Sequence, residues 1–246
     1  MTQPSSSAQT RGAARRGAHW VSKTTDERLA GVRHVEVVLQ AGRIEIGRRP
    51  RDARVRTTIA VTGWRARLAA MREPAGVTVR RSGDTGDMGD TGDTGDDGDT
   101  GDTGDTGDTV HIAGGSGQVR VRLDVTDDAT VTARIAEGDI TLWGVGADLE
   151  LSVGRGTLAG RELTGTVVRA ENDDGEVNLH FAAAPAEVEA HARGAAVLVL
   201  PAGRYAVDGG ADAEVTVEHA ADAAARIVIR GTTRTAVLAA TGSEPI

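Results

Sequence analysis

Glu187-Val188-Glu189-Ala190-His191 places three metal-ligand side chains two residues apart, so on a β-strand all three share one face. Val188, Ala190 and Ala192 would form the opposite, buried face, and that alternation accounts for the charged set without a metal. Two acid pairs, Asp127-Asp128 and Asp173-Asp174, fall in expected turns, while Arg134, Arg155 and Arg169 recur close to one per repeat. Clustered acids beside a basic residue are what polysaccharide lyases and hydrolases set in a groove. Sugar grooves also offer aromatic platforms, and Trp143 is nearly alone in this half of the chain. Solvent-facing charge on turns and outer strand faces is the better reading of these acids and arginines. The same logic covers His180 beside Leu179 and Phe181, and His111 beside Val110 and Ile112, while His19, His34 and His219 have no placed partner.

Other chemistries are excluded by residue type. The chain has no cysteine, which removes disulfides, thiolate zinc sites and thiol nucleophiles. Its only lysine is Lys23, so no phosphate-cradling G-x-x-x-x-G-K-[ST] loop exists. Gly114-Gly115-Ser116-Gly117 is a flexible turn before the strand at Val119, not a nucleophile elbow. Gly154-Arg155-Gly156 lies between strands and cannot open a dinucleotide-binding helix. The expected site inventory is therefore no catalytic residue, no cofactor-binding residue, no metal and no cofactor.

The elements that would position any site repeat. Gly138-Asp139-Ile140, Gly156-Thr157-Leu158 and Gly175-Glu176-Val177 each join two apolar-alternating runs, and a period near twenty residues points to stacked β-coils. Val119, Val121, Leu123 and Val125 alternate with polar residues, as do Leu149, Leu151 and Val153, then Val177, Leu179 and Phe181. Trp20, Trp64, Trp143, Phe181 and Tyr205 are the only aromatics, so the core must be aliphatic. The fold class expected is all-β: a single elongated β-solenoid or β-helix-like domain of short coils with glycine turns.

Composition divides the chain into five parts. Residues 1–31 read as a disordered basic tail, 32–81 as the N-terminal strands, 82–109 as a disordered acidic loop, 110–240 as the β-repeat body and 241–246 as a C-terminal tail. Trp64, Leu68 and Met71 lie at helical spacing ahead of Pro74 and Gly76, which predicts a short helix. Residues 83–109 are nine triplets with glycine first and aspartate second. They lack the imino acids of collagen and, except for Met88, the apolar residue that each turn of a calcium-binding β-coil needs. Removing eight triplets leaves residues 77–82 joined through Gly-Asp-Thr to Val110-His111-Ile112, an ordinary hairpin, so the array reads as an expanded hairpin tip. Charge is polarised: residues 1–81 hold 17 basic and 6 acidic residues (net +11), residues 82–109 ten aspartates, and residues 110–246 11 basic and 20 acidic (net −9).

The units at 134–145, 153–163 and 171–181, with the related runs at 35–46 and 197–210, resemble the bacterial putative-adhesin family, β-strand-repeat domains of unknown function common in actinobacteria. The resemblance covers about residues 32–240 outside the Gly-Asp-Thr array. It implies a β-solenoid-like fold, no catalytic residues, no cofactor and, for some members, a link to cell-envelope stress systems.

The function expected is a non-enzymatic structural or interaction protein of adhesin-like type, tied to envelope maintenance, with a protein or envelope partner. An ion- or nucleic-acid-responsive module is the alternative, motivated by the basic front and the aspartate array. A carbohydrate-active β-helix enzyme is the remote one. No aromatic or amide side chains interleave with the tail arginines, which argues against nucleic acid. Residues 1–30 hold no signal-peptide core and no stretch is long enough to span a bilayer, so a cytoplasmic location is expected. An exposed terminal coil would offer a second copy a surface for end-stacking.

Overall fold

The computed structural model describes residues 21–28, 32–49, 54–61, 77–81, 108–114, 118–210 and 212–240. Every regular element among them is a strand, and no helix is long and apolar enough to cross a membrane. The centre consists of β2 (Val32–Arg48), β7 (Thr130–Trp143), β8 (Asp148–Leu163) and β9 (Val167–Phe181), paired in parallel in that order. Each is 14 to 17 residues long, against a usual strand of about five or six.

Their register explains the repeat. Gly42 faces Gly138, Gly138 faces Gly156 and Gly156 faces Gly175, so the sequence period is the offset between neighbouring strands. The glycines expected as turns between strands are bends inside continuous strands. A Cβ on Gly138 would stand 1.9 Å from the Gly42 carbonyl oxygen, and one on Gly156 equally close to that of Gly138.

On either side of the bend, alternation sends one set of side chains inward. Val35, Val131, Leu149, Val168 and Val188 form one buried column through the stack, and Ile44, Ile140, Leu158 and Val177 another. Each such aliphatic side chain contributes about 1.5–3 kcal/mol on burial, and the core is aliphatic apart from Phe181 and Tyr205.

Chain order and spatial order differ at both ends. β5 (Asp108–Gly114) and β6 (Gln118–Val125) line the two halves of β2 on the side away from β7. At the other end β10 (Glu187–Ala192) and β11 (Ala195–Leu200) follow β9, but their next neighbours are β15 (Arg226–Gly231) and β16 (Arg234–Ala239). β12 (Arg204–Asp208) and β13 (Glu214–Val215) lie beyond those, with β14 (Glu218–His219) on β12. The body is thus all-β, parallel and β-helix-like.

Antiparallel strands occupy the edges of the first coil: β3 (Arg54–Val61) on β6, β1 (Val21–Arg28) on β3, and β4 (Val77–Arg81) on β5. β1 falls inside the stretch read as a disordered tail. An edge strand needs backbone partners rather than apolar alternation, and apolar alternation begins only at Val32. The expected hairpin is present, with Val77 facing Gly114 and Arg81 facing Val110. β5 starts at Asp108, two residues before the expected body, because Asp108 and Thr109 pair with Val32 and His34. The helix expected near Trp64, the Gly-Asp-Thr residues before Asp108, residues 1–20 and residues 241–246 lie outside the described residues.

A β-bulge breaks the β8–β9 register between Gly160 and Leu163, and Glu162 there has φ of 55°. Glu162→Gly is expected to stabilise the fold by about 0.5–1 kcal/mol, the relief of a left-handed residue less the added entropy of the unfolded chain. A higher urea midpoint at unchanged slope checks it.

Candidate functional site

The residues facing outward from the first halves of β7–β10 follow from the same register. Arg134, Ser152, Glu171 and His191 form one lateral row, and Thr132, Glu150, Arg169 and Glu189 the next. All of them except the largely covered Thr132 border a shallow concavity of about 530 Å³ floored by Leu151 and Ala170. Arg134 donates to Glu150 at 2.8 Å, and Arg169 lies 3.7 and 3.8 Å from the carboxylates of Glu187 and Glu189. His191 Nε2 is 3.4 Å from Glu189 Oε1 and is covered without a hydrogen bond, although the ring is half-exposed. The result is a mosaic of opposite charges, exposed enough to exchange its pairings for those of a partner surface.

Glu187, Glu189 and His191 share the outer face, with Val188, Ala190 and Ala192 buried behind them. Glu187 turns toward Arg169, and Glu189 is shared between Arg169 and the imidazole, so the three groups do not converge on one point. Among the described residues no group of three or more His, Asp or Glu side chains is placed to hold a metal ion.

The acid pairs lie at different corners of the coil. Asp127 pairs with Arg48 in the turn before β7. Asp128 accepts from Thr126 and from its own backbone amide, which hold its carboxyl below the ordinary range, the opposite of what a general acid needs. Asp174 lies beside the glycine bend, 3.4 Å from Arg155, which also reaches Glu137 at 4.0 Å. Arg155 thus belongs to a charge ladder across three strands, while Arg134 and Arg169 belong to the concavity.

Of the histidines, His111 Nδ1 lies 2.6 Å from Glu36 Oε2, His34 faces Thr130, and His219 Nδ1 accepts from the Val207 amide. Burial, then the Arg161 guanidinium, lowers the pKa of His180. Glu150, Ser152 and Glu171 do not stand out by residue type in the sequence. A signal for them exists nonetheless: advancing an outward residue by the 18- or 19-residue glycine spacing leads from Arg134 to Ser152 to Glu171.

Near the far end, Arg230 donates to Asp208 at 2.8 Å and holds that carboxyl below its ordinary range. The associated stability is present above the ordinary carboxylate pKa and is lost as pH falls through the depressed one. In Arg230→Gln the Asp208 titration, followed by carboxyl-carbon NMR, is expected to move up; an unmoved midpoint would assign the shift to the Gly210 amide and the Arg226 charge instead.

No family model matches the chain, and no curated protein matches it in sequence. Two solved structures are similar to it. One is described as a putative cell adhesion protein from Clostridium sporogenes ATCC 15579, 7% identical, covering 89% of this chain and 99% of that one with a TM-score of 0.42. The other, a putative adhesin from Bacteroides fragilis NCTC 9343, is 10% identical, covers 89% and 96%, and has a TM-score of 0.40.

Proposed function

We propose that the protein is a non-enzymatic interaction protein of adhesin-like β-repeat type, presenting the outer face of β7–β10 to a protein or envelope partner. The observation that carries this reading is the two-row charge mosaic of Arg134, Glu150, Arg169, Glu171, Glu189 and His191 on a sheet whose other face is core. Opposite charges held in fixed register suit complementary docking, which gains specificity and association rate from electrostatics. The resemblance of the repeats to the putative-adhesin family adds the link to envelope maintenance. Acids held by Arg48, Arg155 and Thr126 favour a scaffold over a hydrolase.

The test is retention on washed envelope fractions of the host. The native chain is expected to be retained, and an Arg134→Glu/Arg169→Glu variant to lose retention about tenfold while its unfolding midpoint changes little, since exposed ion pairs contribute about 0–1 kcal/mol. Turnover of a polysaccharide or ester that vanished on replacing one carboxylate would overturn the reading. External protease applied to intact cells tests the expected cytoplasmic location: cleavage only after lysis supports it, and cleavage before lysis overturns it.

A further inference from the structure

The outer face of the second strand halves carries a different set of groups. Trp143 on β7 points outward and is 56% exposed. Its register partner on β8 is Arg161, and His180 on β9 lies opposite the β8 bulge, where the register shifts between Gly160 and Leu163. Thr141, Ala159 and Asn178 form the parallel row two residues earlier on the same strands. Ala159 has the smallest side chain of the set, with Thr141 and Asn178 beside it and Arg161 two residues on, while Thr157, flanked by Asp139 and Glu176, continues the face on its other side. Neighbouring strands are about 4.8 Å apart and same-face residues about 6.8 Å apart, so this patch has about the footprint of one sugar unit.

Two further observations single it out. The β8 bulge falls here, with Glu162 held at φ of 55° immediately after Arg161. Bulges re-aim a side chain, and retained backbone strain concentrates at functional sites. Arg161 makes no ion pair among the described residues, whereas Arg134, Arg155 and Arg169 all do. Burial first, and then the Arg161 charge, disfavour protonation of His180, and the neutral imidazole both donates and accepts hydrogen bonds.

We propose that Trp143, Arg161 and His180, with Thr141 and Asn178, form a binding site for an acidic pyranose, a sugar ring bearing a carboxylate. The apolar face of the ring stacks on the indole, Arg161 takes the carboxylate through its planar fork, and Thr141, Asn178 and His180 take hydroxyls. A nucleobase would also stack on Trp143. The three neutral hydroxyl-binding groups around one cation favour a polyhydroxylated monoanion. This site lies on a different outer face from the β7–β10 mosaic and stands independently of the function proposed for it.

The experiment is a titration of the full chain with tetragalacturonate and with neutral maltotetraose, followed by calorimetry and by the Trp143 indole N–H signal. The expected result is saturable binding of the acidic tetramer, about tenfold tighter than the neutral one. Trp143→Ala should weaken it at least about tenfold, and Arg161→Gln should abolish the preference for acid while sparing neutral binding. Arg134→Glu/Arg169→Glu should leave it unchanged, which separates this site from the mosaic. Equal affinity for both tetramers, no binding of either, or undiminished binding by Trp143→Ala would overturn the proposal. So would a short oligodeoxynucleotide that displaced the sugar and bound more tightly through the same residues.

Discussion

Gly156→Ala is expected to destabilise the fold by about 3–5 kcal/mol, the upper end of what single substitutions do. Gly156 has φ of 138°, a conformation alanine adopts only under strain, and its Cβ would stand 1.9 Å from the Gly138 carbonyl oxygen. That oxygen belongs to the backbone of the neighbouring strand β7, so relief requires moving a strand rather than a side chain. Gly210→Ala is the control. Gly210 has φ of 78°, but a Cβ there would meet nothing within 4 Å, so the change should cost only about 1 kcal/mol. Urea unfolding of both variants separates the contributions. Equal losses would mean that dihedral strain alone matters and that the close stacking of glycines does not.

The second large effect is expected at Asn172. It occupies an inward position whose column neighbours are Val153 and Ala192, yet it is polar and only 2% exposed. Its Nδ2 donates to the carbonyls of Gly156 and Glu176, both at 3.0 Å, and its Oδ1 accepts from the Asp174 amide at 3.3 Å. The side chain therefore ties the glycine bend of β9 to that of β8. Asn172→Leu would continue the apolar column but leave three backbone groups without their partner, at an expected cost of about 2–4 kcal/mol. Asn172→Asp replaces the donor with a carboxylate facing two carbonyl oxygens. Its folded pKa should be raised, so its stability should be greatest below the ordinary carboxylate pKa and fall as pH rises through the raised value. Thermal unfolding at pH 4 and pH 7 measures this. A Leu variant as stable as the native chain would show that water or backbone adjustment satisfies the bend.

Local pattern makes much of the fold legible. Alternation identifies the inward residues of β7–β10, and the glycine period identifies the strand offset, because side-chain direction has a period of two and stacked coils repeat their backbone. The hairpin of β4 and β5 is legible across a long insertion because loop closure grows costly only slowly with length. β1 is not, since its pairing with β3 rests on backbone hydrogen bonds that no side-chain periodicity reports. Nor is the bulge at Glu162, which appears only when two neighbouring strands are counted against each other.

The candidate sites divide in the same way. Arg134, Arg169, Glu189, His191 and Trp143 stand out by residue type, but their companions lie on other strands and become neighbours only through register. An all-β chain with an aliphatic core, outward charge and glycine at each bend can be read from the residues alone, because these features follow from local backbone geometry and from which side chains water excludes. That β2 stands between β6 and β7, and that β15 and β16 stand inside β12 and β13, emerges only on assembly. Strand order is a choice among long-range backbone pairings of nearly equal local energy, and only the assembled stack, with its filled columns and occupied edges, distinguishes them.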